Sequence, residues 1–306
     1  MTQTTSNFFT WDKNPILTAQ DLLVDRPDPV TCTGHADLVQ TRNGQWYAVF
    51  LACQPYQAGF YNTGRQTFML PVKWENDWPI ILPPATAVPL TVKKPNLPAD
   101  KTPAVATTGD IALTDMFDSN MLAYRWIGLR APTSKWYVTS PTAKALFLEP
   151  RDDLLSGQGN PSYLAVRQQN NDFTCTVTLM AQPETADCVA GLATFQNEGH
   201  YYTINIKIDS GHLTEISVEQ SAGGSGRGFR RAGGQAHPKI LTSQELPDNV
   251  TSINLKIEGA GPRTCLFYKI GDGDYTQLGQ DLQSSFLSTD TAGGFQGVTL
   301  GMFAHH

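Results

Sequence analysis

HADLVQT at 35–41, QWYAVFLAC at 45–53 and RQTFMLPVKW at 65–74 are short runs rich in Val, Leu and aromatic residues, parted by the turn RNG and by a longer Tyr/Gly loop. Such residues fit a pleated surface, and the turn formers between them predict sequential β-hairpins. The same texture continues along the chain. Further strands are expected near 136–138, 145–148, 162–167, 173–179, 189–195, 201–208, 216–219, 253–257, 265–270 and 298–303, with almost no helix-period pattern between them. The fold class is therefore all-β, and the regular strands after residue 110 predict a sandwich. From 83 to 110 six prolines and no periodicity indicate a stiff, extended connector. The sequence divides into 1–82, a Pro-rich linker at 83–110 and a β-sandwich at 111–306. At ~40–45 residues per four-stranded blade, the first 82 residues supply about two blades, too few to close a propeller. This part reads as a partial β-propeller whose sheet must be completed by something else.

With 306 residues and 40% hydrophobic content, the chain can bury a sizeable core. Its 22 basic and 28 acidic residues give none of the positive footprint that nucleic acid or an anionic membrane requires, so neither is an expected partner. MTQTTSNFFTWDKNP lacks a basic region followed by an apolar one, and no run approaches ~18 apolar residues, so a soluble, cytoplasmic protein is expected. The five cysteines, Cys32, Cys53, Cys175, Cys188 and Cys265, are never closer than 13 positions. That spacing suits neither a zinc site nor a disulfide framework, and mostly buried, reduced thiols are expected. No residue context suggests a base that would activate one of them as a nucleophile.

Candidate site chemistry is densest around TGHADLVQT and FYNTGRQTFMLPVKWENDWP. Residues two apart in a strand share a face, so His35 and Asp37 are expected to point together, as a metal, channel or hydrogen-bonded core pair. Arg65 follows Gly64 at a loop-to-strand junction, where a planar guanidinium can grip vicinal sugar hydroxyls or orient a carboxylate; a purely structural arginine is the alternative. Glu75 and Asp77 read as exposed turn residues. SAGGSGRGFRRAGG is short and single, and reads as a flexible inter-strand loop rather than a nucleic-acid tract. GDGDY lacks the downstream carboxylate of a calcium loop and reads as a hairpin turn.

WDKNPILTA, GHADLVQTRNGQWYAVFLACQPY and FYNTGRQTFMLPVKWENDWPIILPP resemble the closing part of the five-bladed propeller of glycoside hydrolase family 43 β-xylosidases and α-L-arabinofuranosidases. GNPSYLAVRQQNNDFTCTVTL, GLATFQNEGHYYTINI and FYKIGDGDYTQLGQDLQSSFLSTDTAGGFQGVTLGMFA are similar to the sandwich appended in that family, a concanavalin or jelly-roll type. The resemblance implies that His35 is a channel histidine helping to hold a calcium ion through its hydration shell. It implies that Arg65 contacts the sugar, with Gln66 standing where many relatives carry Glu. It also implies that Phe295 is an aromatic extended over the mouth of the sugar pocket. An ordinary sandwich phenylalanine is the other reading of that residue.

The family inverts with an aspartate base, a glutamic acid and an auxiliary aspartate on earlier blades, positions this sequence does not contain. Inversion needs two carboxyl groups ~6.5–9.5 Å apart. Of Asp12, Asp21, Asp25, Asp28, Asp37, Glu75 and Asp77, only Asp37 is expected to share a strand face with a presumed channel residue, and it is the catalytic candidate. Because relatives run into a further strand after GMFA, an unpaired sheet edge is expected there. Two functions follow: a glycosidase acting on xylose- or arabinose-containing oligosaccharides, assembled as a dimer or higher homo-oligomer, or a non-catalytic carbohydrate-binding or vestigial structural module. The open sheet edges are the reason to expect self-association.

Overall fold

A computed structural model describes residues 17, 22–23, 26–57, 59–99, 109–131, 134–223 and 237–306. The WDKNPILTA stretch apart from Leu17, the connector from 100 to 108, and 224–236 of the Gly/Arg loop lie outside the described residues. The chain forms two compact units: Met1–Gly59 with Arg65–Val105, and Phe60–Gly64 with Ala106–His306.

In the first unit, β1 (Thr31–Gln40), β2 (Trp46–Cys53), β3 (Gln66–Glu75) and β4 (Trp78–Ile80) form a four-stranded antiparallel sheet in chain order, the pattern of one propeller blade. The second blade of the sequence arithmetic falls on residues mostly outside those described. Between β1 and β2 the backbone N–H of Thr41 donates to Gln45 O and that of Gly44 to Thr41 O, with Gly44 at φ +83° closing the turn without a Cβ penalty. Between β3 and β4, Asn76 and Asp77 both have positive φ, as a tight hairpin with a matching twist requires. Glu75 and Asp77 are exposed there. Alternation puts Ala48, Phe50 and Ala52 on one face, where they pack with Leu70, Val72, Ile81 and Val88. Phe50 stacks on Phe68 at 5.9 Å. Each large apolar side chain so buried contributes ~1.5–3 kcal/mol. Val88 belongs to the Pro-rich stretch, which Asn43 also ties down by donating to Asn96 O.

The second unit is a two-sheet sandwich. Its larger sheet contains β5 (Ile127–Gly128), β8 (Ser162–Arg167), β10 (Cys188–Asn197), β11 (His200–Asp209), β12 (His212–Gln220), β13 (Lys239–Glu245) and β18 (Thr299–His305), ordered β13-β12-β11-β10-β18-β8-β5. The facing sheet is built from β9 (Phe173–Met180), β14 (Ser252–Ala260), β15 (Arg263–Lys269) and β16 (Thr276–Gln277), with β17 (Leu282–Gln283) also paired to β15. β6 (Tyr137–Ser140) and β7 (Ala145–Leu148) form a separate hairpin. The core lies between the two large sheets, where Leu192, Ile204, Ile206, Ile216 and Val218 meet Ile253, Leu255, Ile257 and Leu266. Helix is confined among the described residues to single turns such as α1 (Thr289–Ala292).

The edge expected after GMFA is not observed. β18 pairs with β10 on one side and β8 on the other, at the centre of the larger sheet. The reason is that TLGMFAH is apolar on both faces: Met302 packs against the inter-sheet core and Phe303 against a cluster on the outer face. A doubly apolar strand loses least to water in a central position. β13, KILTSQE, was not anticipated because it is a polar, largely exposed edge strand. GDGDY turns between β15 and β16, as expected of a hairpin. All five cysteines are free; Cys53 and Cys188 are buried, Cys175 and Cys265 half-buried and Cys32 exposed. Burial pushes the Cys175 thiol up to about 11, far from a reactive thiolate.

Candidate functional site

β1 is not a regular strand. Thr31 pairs with Cys53, Gly34 with Leu51 and Asp37 with Val49, so one extra residue is inserted in β1 at each of two bulges. Each bulge holds a non-glycine residue in the left-handed region, Cys32 at φ +54° and His35 at φ +48°. Such a conformation costs about 1–3 kcal/mol per residue and concentrates at functional positions. The expectation that His35 and Asp37 share a face by simple alternation therefore does not hold. The register instead sets Asp37 and Gly34 on one face, beside Val49 and Leu51. Both His35 and Asp37 are exposed.

Arg65 is exposed and immediately precedes β3. Gln66 pairs with the buried Ala52, so Arg65 and Thr67 continue the opposite face, the one that carries Asp37. The two are not neighbours. Asp37 lies in the Val49–Met69 row and Arg65 four residues further along β3, which with two strand spacings separates the backbones by roughly 16 Å.

In the second unit, Phe295 is 72% exposed, yet the chain beneath it is tightly held. Ser288 caps α1 by accepting from Asp290 N, and its hydroxyl also accepts from Tyr61 N at 3.0 Å. Asn62 Nδ2 donates to Ser284 O at 3.1 Å, and Val298 N donates to Asn62 O at 2.7 Å. Gln296 O accepts from Gln196 Nε2 and from the Thr289 hydroxyl. Asn197 Nδ2 reaches Ala292 O at 3.0 Å. Asn62, Ser284, Ser288 and Gln196 are all buried. Gly64 and Gly297 abut so closely that a Cβ on Gly64 would lie 2.4 Å from Gly297 N, and one on Gly297 2.5 Å from Thr63 O.

Below this loop His200 is 3% exposed, its Nδ1 is 3.0 Å from Asn197 Oδ1, and its ring sits 4.9 Å from that of Phe286. Burial lowers its pKa, favouring the neutral imidazole. Phe295 was named from resemblance alone, and the hydrogen bonds beneath it were not anticipated, because Asn62, Ser288 and His200 have no motif among themselves. Among the described residues no group of three or more His, Cys, Asp or Glu side chains could hold a metal ion. His35 and Asp37, separated in register by a bulge, are not part of such a group. No helix among the described residues is long and apolar enough to cross a membrane.

Comparison with known proteins matches residues 114–306 to the β-xylosidase C-terminal concanavalin A-like domain, and residues 3–79 to the glycosyl hydrolases family 43 model. A xylosidase/arabinosidase of Butyrivibrio fibrisolvens is 28% identical over 293 residues, covering 95% of this chain and 52% of that protein. A non-reducing end α-L-arabinofuranosidase, BoGH43B of Bacteroides ovatus, is 25% identical over 295 residues, covering 95% of this chain and 50% of its own length. The crystal structure of a GH43_12 protein retrieved from capybara gut metagenome superposes with a TM-score of 0.81 at 28% identity, over 97% of this chain and 52% of that one. The chain thus spans about half the length of the curated relatives it matches.

Proposed function

Given that the chain belongs to glycoside hydrolase family 43, we propose that it takes part in the exo-acting release of xylose or arabinose from xylo-oligosaccharides and arabinoxylan side chains. The observation that carries this reading is Phe295, an exposed ring on a loop whose backbone is fixed on both sides. A large apolar side chain that is mostly exposed, on a loop so fixed, is suited to lie against the carbon-hydrogen face of a sugar. Arg65 supplies a planar fork of donors for vicinal hydroxyls. Asp37 is the candidate carboxylate. It provides at most one of the two that inversion requires, and the partner carboxyl is to be sought outside the described residues or in a second copy.

Self-association is part of the proposal. β1 pairs only with β2 among the described residues, and it leaves Leu38 and Val39 exposed along a ten-residue edge, a surface that a second chain would cover. Calcium reaching His35 through its own waters is likewise proposed, supported by the exposed imidazole at the strained bulge.

The test is hydrolysis of nitrophenyl xyloside and nitrophenyl arabinofuranoside by rigorously purified protein, repeated with Arg65→Ala and Asp37→Asn. Positioned proton transfer is worth ~10²–10⁴-fold per group, so turnover well below that of a relative carrying both carboxyl groups is expected, with Arg65→Ala removing most of it. Undetectable activity, or activity indifferent to Arg65→Ala, would replace this reading with a non-catalytic carbohydrate-binding module.

A further inference from the structure

The outer face of the larger sandwich sheet does not look like a solvated surface. Along β11 the side chains Thr203, Asn205 and Lys207 alternate away from the inter-sheet core, opposite Glu219, Ser217 and Glu215 of β12. Such positions in a sandwich are ordinarily exposed. Here Thr203 is 2%, Asn205 5% and Ser217 8% exposed. The segment Leu154–Ser156 walls this face, and Ser156 hydrogen-bonds the Tyr201 phenol. What remains is a cavity of about 690 Å³ over the sheet, within the ~300–1,000 Å³ of small-molecule sites.

The lining is chemically specific. The Thr203 hydroxyl has no hydrogen-bond partner although it is buried, an arrangement that native structures rarely leave uncompensated. Asn205 donates to the Glu219 carboxyl, whose pKa burial raises while Asn205 and His305 pull it back. Asp187, Asp209, Glu215 and Glu219 outnumber the single lysine, Lys207, in a lining that also holds His237, His305 and His306, and this balance disfavours an anionic ligand. Tyr201 and Phe303 close one side with aromatic carbon. Hydroxyl, amide and carboxyl groups next to aromatic walls match a ligand whose groups both donate and accept and which carries no charge. The cavity runs along the sheet from Tyr201, opposite Phe195, to Val189 and His305, and Phe295 is not part of its lining.

We propose that this cleft is a second carbohydrate site, taking a short uncharged oligosaccharide through Thr203, Asn205 and Glu219. It serves to hold a sugar chain, needs no catalysis, and stands on the second unit alone.

The experiment is calorimetric titration of the full chain with xylotetraose, arabinotriose and cellotetraose, and with xylotetraose bearing a glucuronic acid. Parent, Thr203→Val, Glu219→Gln and Phe295→Ala proteins are compared. Binding of at least one neutral oligomer is expected, weaker for the acidic one. Thr203→Val removes a hydroxyl that is unpartnered in the free protein, so it should leave thermal stability unchanged while weakening binding by up to about tenfold, the weight of one hydrogen bond. Glu219→Gln, which retains a partner for Asn205, should weaken binding similarly. Phe295→Ala should leave this binding intact even where it abolishes hydrolysis, so the cleft and the glycosidase reading fail separately. Absence of binding to every neutral oligomer up to about 10 mM, a range in which millimolar affinities are measurable, would overturn the proposal. So would affinity untouched by Thr203→Val and Glu219→Gln but lost in Phe295→Ala.

Discussion

Gly64 and Gly297 allow the contact beneath Phe295 to be weighed in three separate substitutions. Gly64 has φ +66°, and an added Cβ would meet Gly297 N at 2.4 Å. Gly297 is not in the left-handed region, but its Cβ would meet Thr63 O at 2.5 Å. Gly271, in the same unit, has φ +60° and nothing within 4 Å. Gly271→Ala therefore isolates the left-handed penalty, ~1–2 kcal/mol. Gly297→Ala isolates the collision with backbone atoms, which cannot rotate aside, and overpacking of this sort costs ~1–3 kcal/mol. Gly64→Ala carries both terms, ~2–5 kcal/mol in total. Because Gly64 and Gly297 relieve or create one shared contact, the double variant should lose less than the two single losses added. Urea unfolding followed by calorimetry and tryptophan fluorescence measures all four; each kcal/mol should move the melting point by ~2–4 °C for a unit of this size. The reasoning is refuted if Gly64→Ala is no worse than Gly271→Ala, or if Gly297→Ala unfolds with the parent.

Burial lowers the His200 pKa below its unfolded value of ~6.5, so the unfolded chain takes the proton first. Stability should fall as pH drops through ~6.5 toward the folded value, by at most ~1.4 kcal/mol per pH unit, and His200→Gln should flatten that fall; equal slopes between about pH 7.5 and 5.5 would exclude the assignment. Leu255, fully buried between the sheets, should lose ~2–5 kcal/mol on Leu255→Ala in denaturant melts, whereas Met180→Ala at an exposed position should stay within ~0.5 kcal/mol. Phe295→Ala should change stability by no more than ~0.5 kcal/mol while lowering hydrolysis of the nitrophenyl sugars; a melting-point loss of several degrees without a kinetic effect would make Phe295 structural.

Strand positions were legible because runs of β-branched, aromatic and other apolar residues lie between turn formers, as in WYAVFLAC and HYYTINIKID. Three features were not. The bulges at Cys32 and His35 add residues to β1 without altering its composition, so alternation misplaces His35 relative to Asp37. The hydrogen bonds that hold the Phe295 loop join Tyr61 to Ser288 and Asn62 to Ser284, more than 220 positions apart, and each polar residue alone looks like a loop residue. The central place of β18 depends on which faces are covered, which a local pattern does not report. Phe295 itself was named through resemblance, not through any periodicity of GGFQG.

That central place also bears on how the sandwich comes into being. Every partner of β18 in the larger sheet precedes it in the chain, so while a ribosome is still translating residues 299–305, β10 and β8 face each other across an empty slot. The nascent polypeptide then carries two raw sheet margins, and β10 and β8 must be kept from pairing with anything else until the missing strand emerges. Such an assembly is poorly suited to piecemeal folding during synthesis, because the larger sheet cannot close until residues 299–305 are available to pair with both β10 and β8.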